Sequence, residues 1–267
     1  MIANFLIGLR EGIEAALIVG ILVGYLVKSD RKDSVKAIFF GVLAAIATAL
    51  LAAFLLNEVV ANVPTGINEL ISGISSIAAV IFVTFMIYWM AKQSRSLAGN
   101  LRGKIDAAAG NSTFALAMIA YLAVVREGVE TAIFIWSAAK TTAAGDNPVL
   151  GATLGLLVAA VLGYLIYRGS LKLNLKTFFR YTGAYLILVA AAILAYGLGE
   201  LQEIGVLPFL TAHTYDVTGV IHEGSTIDTV LRGTIGFNSA PTILQTLGYG
   251  LYLLPTAWFY FKTRKTN

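Results

Sequence analysis

The sequence predicts an all-α polytopic membrane protein with seven transmembrane helices. The chain of 267 residues is 58% hydrophobic and only 13% charged, whereas soluble domains carry about a quarter charged residues. Its mean hydropathy is +0.79. The net charge of +4 comes from few ions in an apolar background, which excludes a disordered chain and a nucleic-acid-binding protein.

Seven stretches are long enough to cross a bilayer, since a spanning helix needs roughly 20 predominantly apolar residues. The first stretch follows an N-terminus without a basic region and is longer than the apolar core of a signal peptide, so we expect a retained helix. In chain order, the predicted spans are residues 4–27, 37–57, 68–91, 113–139, 148–167, 180–199 and 241–261.

Lysine and arginine lie mainly on one side of the predicted bundle. Because basic connections stay in the cytoplasm, the N-terminus is predicted outside and the C-terminus inside. This arrangement describes a multi-pass protein of the cytoplasmic (inner) cell membrane. Lys140 and Arg232 lie on the outer side, while the inner side carries Lys28, Arg31, Lys32, Lys36, Lys92, Arg95, Arg102, Lys104, Arg168, Lys172, Lys176, Arg180, Lys262, Arg264 and Lys265.

Ionisable residues inside the predicted spans form one motif that occurs twice. The first span contains Arg-Glu-Gly-Ile-Glu, and the fourth contains Arg-Glu-Gly-Val-Glu. A charge at the centre of a spanning helix costs about 2.5 to 3.5 kcal/mol, so these groups must compensate one another. They are Arg10, Glu11, Glu14, Arg126, Glu127 and Glu130.

The spacing within each motif places its charged side chains on one side of the helix. Glu14 follows Glu11 by three residues and Arg10 by four, and such residues are neighbours on a helix surface. Four carboxylates and two guanidinium groups leave a formal charge of −2, which bound protons or a metal cation would neutralise. In a chain without cysteine, oxygen ligands suit iron, Mn²⁺ or Mg²⁺ better than Cu⁺ or Zn²⁺. The alternative is a pair of salt-bridge clusters that only lock two helices together.

The two motifs are predicted at similar depth in spans of opposite direction, which is typical of inverted repeats. We therefore predict one transmembrane permease domain, residues 1–267, with two inverted three-helix repeats and an added seventh helix. The first repeat covers about 1–91, and the second covers about 113–199. An outer loop at about 200–240 precedes the seventh helix at about 241–261.

Acidic and histidine side chains of the outer segments are candidates for a cation entrance, because a negative face concentrates cations. The alternative is that they are ordinary solvated loop residues or interfacial residues at span ends. The candidates are Glu69, Glu203, His213, Asp216, His222 and Glu223.

At its two Arg-Glu-x-x-Glu motifs the chain resembles the oxidase-dependent iron permease family, in particular its bacterial EfeU-type members. The resemblance covers nearly the whole chain, including Met86-Ile-Tyr-Trp-Met-Ala-Lys and Gly236-Phe-Asn-Ser-Ala-Pro. The Asp-Ala-Ser-Glu motif of the fungal outer loop is absent. The resemblance implies transport of Fe³⁺ or Fe²⁺ into the cytoplasm, with the glutamates Glu11, Glu14, Glu127 and Glu130 as ligands and Arg10 and Arg126 as supporting charges.

The resemblance also implies partners outside the cytoplasm. In fungi a multicopper ferroxidase hands over Fe³⁺, and in bacteria iron-binding or iron-oxidising proteins of the EfeO and EfeB type accompany the permease. We expect iron as the transported substrate, the lipid bilayer as surroundings, and neither a prosthetic group nor a nucleic-acid partner.

Two other functions are compatible with the residues. A membrane-embedded carboxylate di-metal enzyme is one, although di-iron bundles pair glutamates with Glu-x-x-His motifs and both histidines lie outside the predicted spans. An antiporter or exporter of another divalent cation is the other, since it would share the repeat arrangement. We expect a transporter rather than an enzyme.

Overall fold

The structure, a computed structural model, describes residues 2–61, 65–93, 113–140, 147–169, 174–222 and 224–265. This part of the chain is helical, with one isolated β-bridge between His213 and Thr242. Its α-helices are α1 (Ile2–Lys28), α2 (Val35–Ala61), α3 (Thr65–Gln93), α4 (Thr113–Lys140), α5 (Pro148–Tyr167), α6 (Leu175–Glu203), α7 (Thr226–Ile235) and α8 (Ile243–Lys265).

A helix lies at each of the seven predicted stretches. Helix α6 extends from Leu175 to Glu203 and is longer than the predicted 180–199. The segment between α6 and α8, which we call the outer connection after its predicted location, therefore begins after Glu203. Among the described residues, four helices contain segments long and apolar enough to cross a membrane. These segments are Lys32–Leu55, Ile67–Tyr88, Pro148–Tyr167 and Thr177–Glu203.

The helices pack in reciprocal pairs. Helix α1 packs along α5, α2 packs along α4, and α3 packs along α6, while α1 also contacts α4. Glycines in the two motifs permit the first two pairings. A Cβ atom on Gly12 would lie 2.6 Å from the Cβ of Ala159 in α5, and one on Gly128 would lie 2.7 Å from the Cβ of Ala49 in α2. The first three helices are therefore interleaved with the next three.

Two apolar clusters surround the motif helices. One cluster includes Ile7 of α1 and Phe134 of α4, together with buried residues of α3, α6 and α8. The other includes Leu22 of α1 and Ala120 of α4, together with Ile38 of α2. On both α1 and α4 the charged motif lies between residues of the two clusters, so the motifs occupy a polar layer inside an apolar bundle.

The outer connection folds over one end of this bundle. Helix α7 contacts both α1 and α6. Its N-terminus is capped by Ser225, whose hydroxyl accepts from the amide of Asp228 at 3.2 Å. Its C-terminus ends at Gly236, which adopts a left-handed conformation with φ of 66° and packs against Ala192 of α6. Ala3 and Asn4 in the first turn of α1 are buried.

Candidate metal centre

The crossing of α1 and α4 brings the two motifs together in the protein interior. Arg10 and all four motif glutamates are buried, whereas the Arg126 side chain is 39% exposed. Burial of a charged group is strongly unfavourable unless it is paired. The two copies therefore have the same sequence pattern but different surroundings.

On α1, the Arg10 guanidinium connects both glutamates of its motif. Its Nη1 donates to Glu11 Oε1 at 2.5 Å, and its Nη2 lies 3.1 Å from Glu14 Oε1. The same Nη2 lies 3.3 Å from the sulfur of Met86 in α3. The planar fork of the guanidinium, which can bind two acceptors at once, thus fixes the orientation of two carboxylates.

On α4, Arg126 Nε donates to Glu130 Oε1 at 2.7 Å, in the four-residue spacing that the sequence predicts. Glu127 and Glu130 are both buried. Thr131 donates its hydroxyl to the backbone oxygen of Glu127 at 2.7 Å. The exposed part of Arg126 distinguishes this copy from the α1 copy, where Arg10 is buried.

The structure brings carboxylate oxygens from Glu11, Glu14 and Glu127 within 4.8 Å of one another. Metal–oxygen bonds of about 2.0–2.6 Å give ligand atoms on opposite sides of an ion a similar separation. Glu130 lies one turn farther along α4. In each of the four glutamates Oε2 is buried and accepts no hydrogen bond from the described residues. These oxygens are unused acceptors in a negatively charged site, which is the environment that a hard cation requires.

Two of the predicted entrance residues, at the start of α3 and at the end of α6, both interact with Tyr196 of α6. Glu69 is partly buried, and its Oε2 accepts no hydrogen bond from the described residues. Glu203 is exposed at the end of α6. The Tyr196 hydroxyl is hydrogen-bonded to Glu200 and interacts electrostatically with Glu69 and Glu203. Sequence reasoning did not identify Tyr196, because only the packing of α3 against α6 brings it beside Glu69.

The other predicted entrance residues belong to the outer connection. His213 is exposed, and its Nδ1 lies 2.8 Å from the backbone oxygen of Ala240. Asp216 is exposed and accepts from the amide and the hydroxyl of Thr218, and these two hydrogen bonds lower the pKa of Asp216 below its usual value. His222 is exposed, and Glu223 lies outside the described residues. These residues are thus separate from the buried glutamates.

A cavity of about 280 Å³ lies between α6, α7 and the start of α8. Aromatic rings of Tyr196, Tyr215 and Tyr249 line it, together with Arg232. The hydroxyl groups of Tyr215 and Tyr249 donate to backbone oxygens of the outer connection. No short-range sequence pattern predicts this cavity, because its walls come from distant segments.

The apolar helices and the buried carboxylates together define an integral membrane protein of the ion-transporting class. The sequence pattern of the iron permease FTR1 family matches residues 1–264, and the chain belongs to this family. This match confirms the resemblance that the two motifs indicated.

Similar proteins are also named as iron permeases. The chain is 35% identical over 258 residues to the "Ferrous iron permease EfeU" of Escherichia coli O6:H1, with 96% of this chain and 93% of that protein covered. It is 34% identical over 264 residues to the protein of the same name from Yersinia pestis, with 98% and 93% covered. No solved structure matches the chain. The relatives are named as permeases, which are transporters and not enzymes.

Proposed function

We propose that the chain moves iron ions from outside the cell into the cytoplasm through the carboxylates of Glu11, Glu14, Glu127 and Glu130. The observation that carries this proposal is the convergence of three carboxylate oxygens in a buried site, with a further oxygen of each glutamate left without a hydrogen bond from the described residues. Family membership supports iron as the transported substrate.

The charges suggest how an ion is held and released. Arg10 binds one oxygen of Glu11 and one of Glu14, and the second oxygen of each carboxylate stays available to a cation. A bound cation offsets the surplus negative charge, and protons offset it when the cation leaves, since both compete for the same oxygens. The site therefore alternates between a metal-bound form and a partly protonated form.

The proposed domain has seven spans, an external N-terminus and a cytoplasmic C-terminus in the inner membrane. Helices α1 to α3 and α4 to α6 are two inverted repeats, and α8 is the added span. Support comes from the reciprocal packing, in which the first helix of each repeat packs along the second helix of the other. Transporters with inverted repeats place the substrate at the repeat interface and expose it alternately by rocking one repeat against the other.

We assign Fe²⁺ as the permeating ion, supported by the names of the relatives from Escherichia coli and Yersinia pestis. Proteins of the EfeO and EfeB type are the proposed partners outside the cytoplasm. Iron approaches through the acidic outer surface, for which the candidate residues are Glu69, Glu203, His213, Asp216, His222 and Glu223.

Iron uptake into proteoliposomes, with the metal held as Fe²⁺ or as Fe³⁺, tests this function. The purified wild type is compared with a variant in which Glu11, Glu14, Glu127 and Glu130 are all replaced by glutamine. We expect uptake of Fe²⁺ by the wild type and background uptake by the variant. Equal uptake by both proteins would show that iron does not pass through these carboxylates.

A further inference from the structure

Asn4, in the first turn of α1, has a buried side-chain amide that forms no hydrogen bond with the described residues. Its side chain is 0% exposed. Neither Oδ1 nor Nδ2 has a hydrogen-bond partner within the described part of the chain. Its neighbours Ala3 and Ile7 belong to an apolar cluster. Buried polar side chains are nearly always hydrogen-bonded, so an amide in this state indicates a partner that is present only at certain times.

The position of Asn4 relates it directly to the buried glutamates. Asn4 precedes Glu11 by seven residues, which is nearly two full helical turns, so the two side chains lie on the same face of α1. The axial distance between them is about 10 Å at a rise of about 1.5 Å per residue. In the proposed orientation, Asn4 is on the outer side of Glu11.

Asn4 also lies below the outer surface of the protein. Arg10 of α1 contacts Met86 of α3, so the two residues lie at a similar depth. In the proposed topology α1 and α3 both run inward, and more of α3 precedes Met86 than of α1 precedes Arg10. With a rise of about 1.5 Å per residue, α3 extends about 20 Å farther outward than α1. Its outer turns carry Asn68 and Glu69, whose Oδ1 and Oε2 atoms are buried without hydrogen bonds from the described residues. Oxygen atoms without hydrogen bonds from the described residues thus lie on the outer side of Asn4, in α3, and on its cytoplasmic side, in the motif glutamates.

We infer that the amide oxygen of Asn4 is a relay ligand for the divalent cation, which binds there transiently before it reaches Glu11, Glu14 and Glu127. This inference rests on the proposed function, because it assigns a further residue to the same transport route. An amide oxygen is a hard ligand of the kind that oxygen-preferring cations accept. Because it is uncharged, it replaces part of the hydration shell without binding the ion so strongly that transfer to the carboxylates is prevented.

The test uses Asn4→Leu, which keeps the approximate volume and removes the oxygen, and Asn4→Asp, which keeps an oxygen. Thr182→Val is the matched control, since Thr182 is also buried and polar but lies toward the start of α6 and donates to the backbone oxygen of Phe178. For each purified protein, Fe²⁺ is added without oxygen, and both the association rate and the equilibrium affinity are measured, together with the thermal unfolding midpoint.

We expect Asn4→Leu to slow Fe²⁺ association by about tenfold, the scale on which one supporting group changes a metal site. The equilibrium affinity should stay at the wild-type value because the carboxylates are intact, and the unfolding midpoint should not fall because no hydrogen bond within the described structure is lost. Asn4→Asp and Thr182→Val should associate with Fe²⁺ at no less than the wild-type rate. The inference is overturned if Asn4→Leu associates at the wild-type rate, or if its slower association is accompanied by a lowered unfolding midpoint that Asn4→Asp shares. If wild-type protein itself binds no Fe²⁺ at the glutamates, the proposed function fails instead.

Discussion

At the residue scale, Glu14 is the motif carboxylate that an uncharged replacement tests most directly. Its side chain is buried, and one of its oxygens belongs to the group of three that converge. Glu14→Gln keeps the volume but removes the negative charge and one anionic ligand. We expect iron uptake to fall by at least about tenfold, as for loss of a group in a metal site.

Glu58→Gln is the control for this change, because Glu58 is an exposed glutamate near the end of α2. Its uptake should equal that of the wild type at matched expression in the membrane. Equal uptake by Glu14→Gln and Glu58→Gln would contradict a role for Glu14 in the transport site.

The two arginines are predicted to differ, although their motifs are alike. Arg10 is buried and connects Glu11 with Glu14, whereas Arg126 is partly exposed and pairs with Glu130 through Nε. Lysine keeps the charge but lacks the planar fork. We therefore expect Arg10→Lys to reduce uptake more strongly than Arg126→Lys, as measured by the concentration dependence of transport. Equal losses in the two variants would show that charge alone matters at both positions.

Acid should weaken metal binding at the buried site. Each glutamate oxygen can bind a proton or a metal ion, so a higher proton concentration shifts the balance toward the protonated form. We expect the affinity for Fe²⁺ to decrease steadily as the pH is lowered from about 8 to about 5, because protons and Fe²⁺ compete for the same carboxylate oxygens. Titration calorimetry on purified protein measures this affinity, and a constant affinity over the whole range would contradict the prediction.

At the element scale, the pairing of α1 with α5 depends on close contact at Gly12. A Cβ atom at this position would lie 2.6 Å from the Cβ of Ala159, whereas a Cβ on Gly20 of the same helix would have nothing within 4 Å. Small residues let helices in membranes approach closely. The two glycines therefore offer a matched pair of substitutions on one helix.

We expect Gly12→Ala to destabilise the protein by about 1–3 kcal/mol, the usual cost of overpacking. Gly20→Ala should leave stability unchanged or raise it by up to about 1 kcal/mol, because alanine favours a helix more than glycine does. Thermal unfolding in detergent measures both variants. An unfolding midpoint for Gly12→Ala at or above that of Gly20→Ala would show that the α1–α5 contact adapts without cost.

At the scale of the whole molecule, the proposed orientation follows from the distribution of basic residues. The chain has no cysteine, so single cysteines can report which side a segment occupies. Lys36 and Asp216 are both exposed, and they lie on opposite sides in the proposed topology. In intact cells we expect a membrane-impermeant maleimide to label Asp216→Cys and to leave Lys36→Cys unlabelled until the membrane is permeabilised. The reverse pattern would invert the topology and the direction of transport inferred from it.

The sequence alone determined the class of protein and the candidate residues of its site. Long apolar stretches predict helices because transfer of apolar side chains into a bilayer is favourable over a fixed length. The repeated motif identified the buried charges because ionisable residues inside such stretches are costly and rare. Glu11 and Glu14 were predicted to share a face from helical periodicity alone. These properties depend on residues that are close together in the chain.

The tertiary structure decided which atoms meet across helices. It placed Glu127, rather than Glu130, with the oxygens of Glu11 and Glu14, and it buried Arg10 while leaving Arg126 partly exposed. It also enclosed Asn4 and brought Tyr196 beside Glu69. The rotation and depth of each helix depend on how side chains from distant segments interlock. Two copies of one motif can therefore acquire different surroundings, which no local pattern in the sequence specifies.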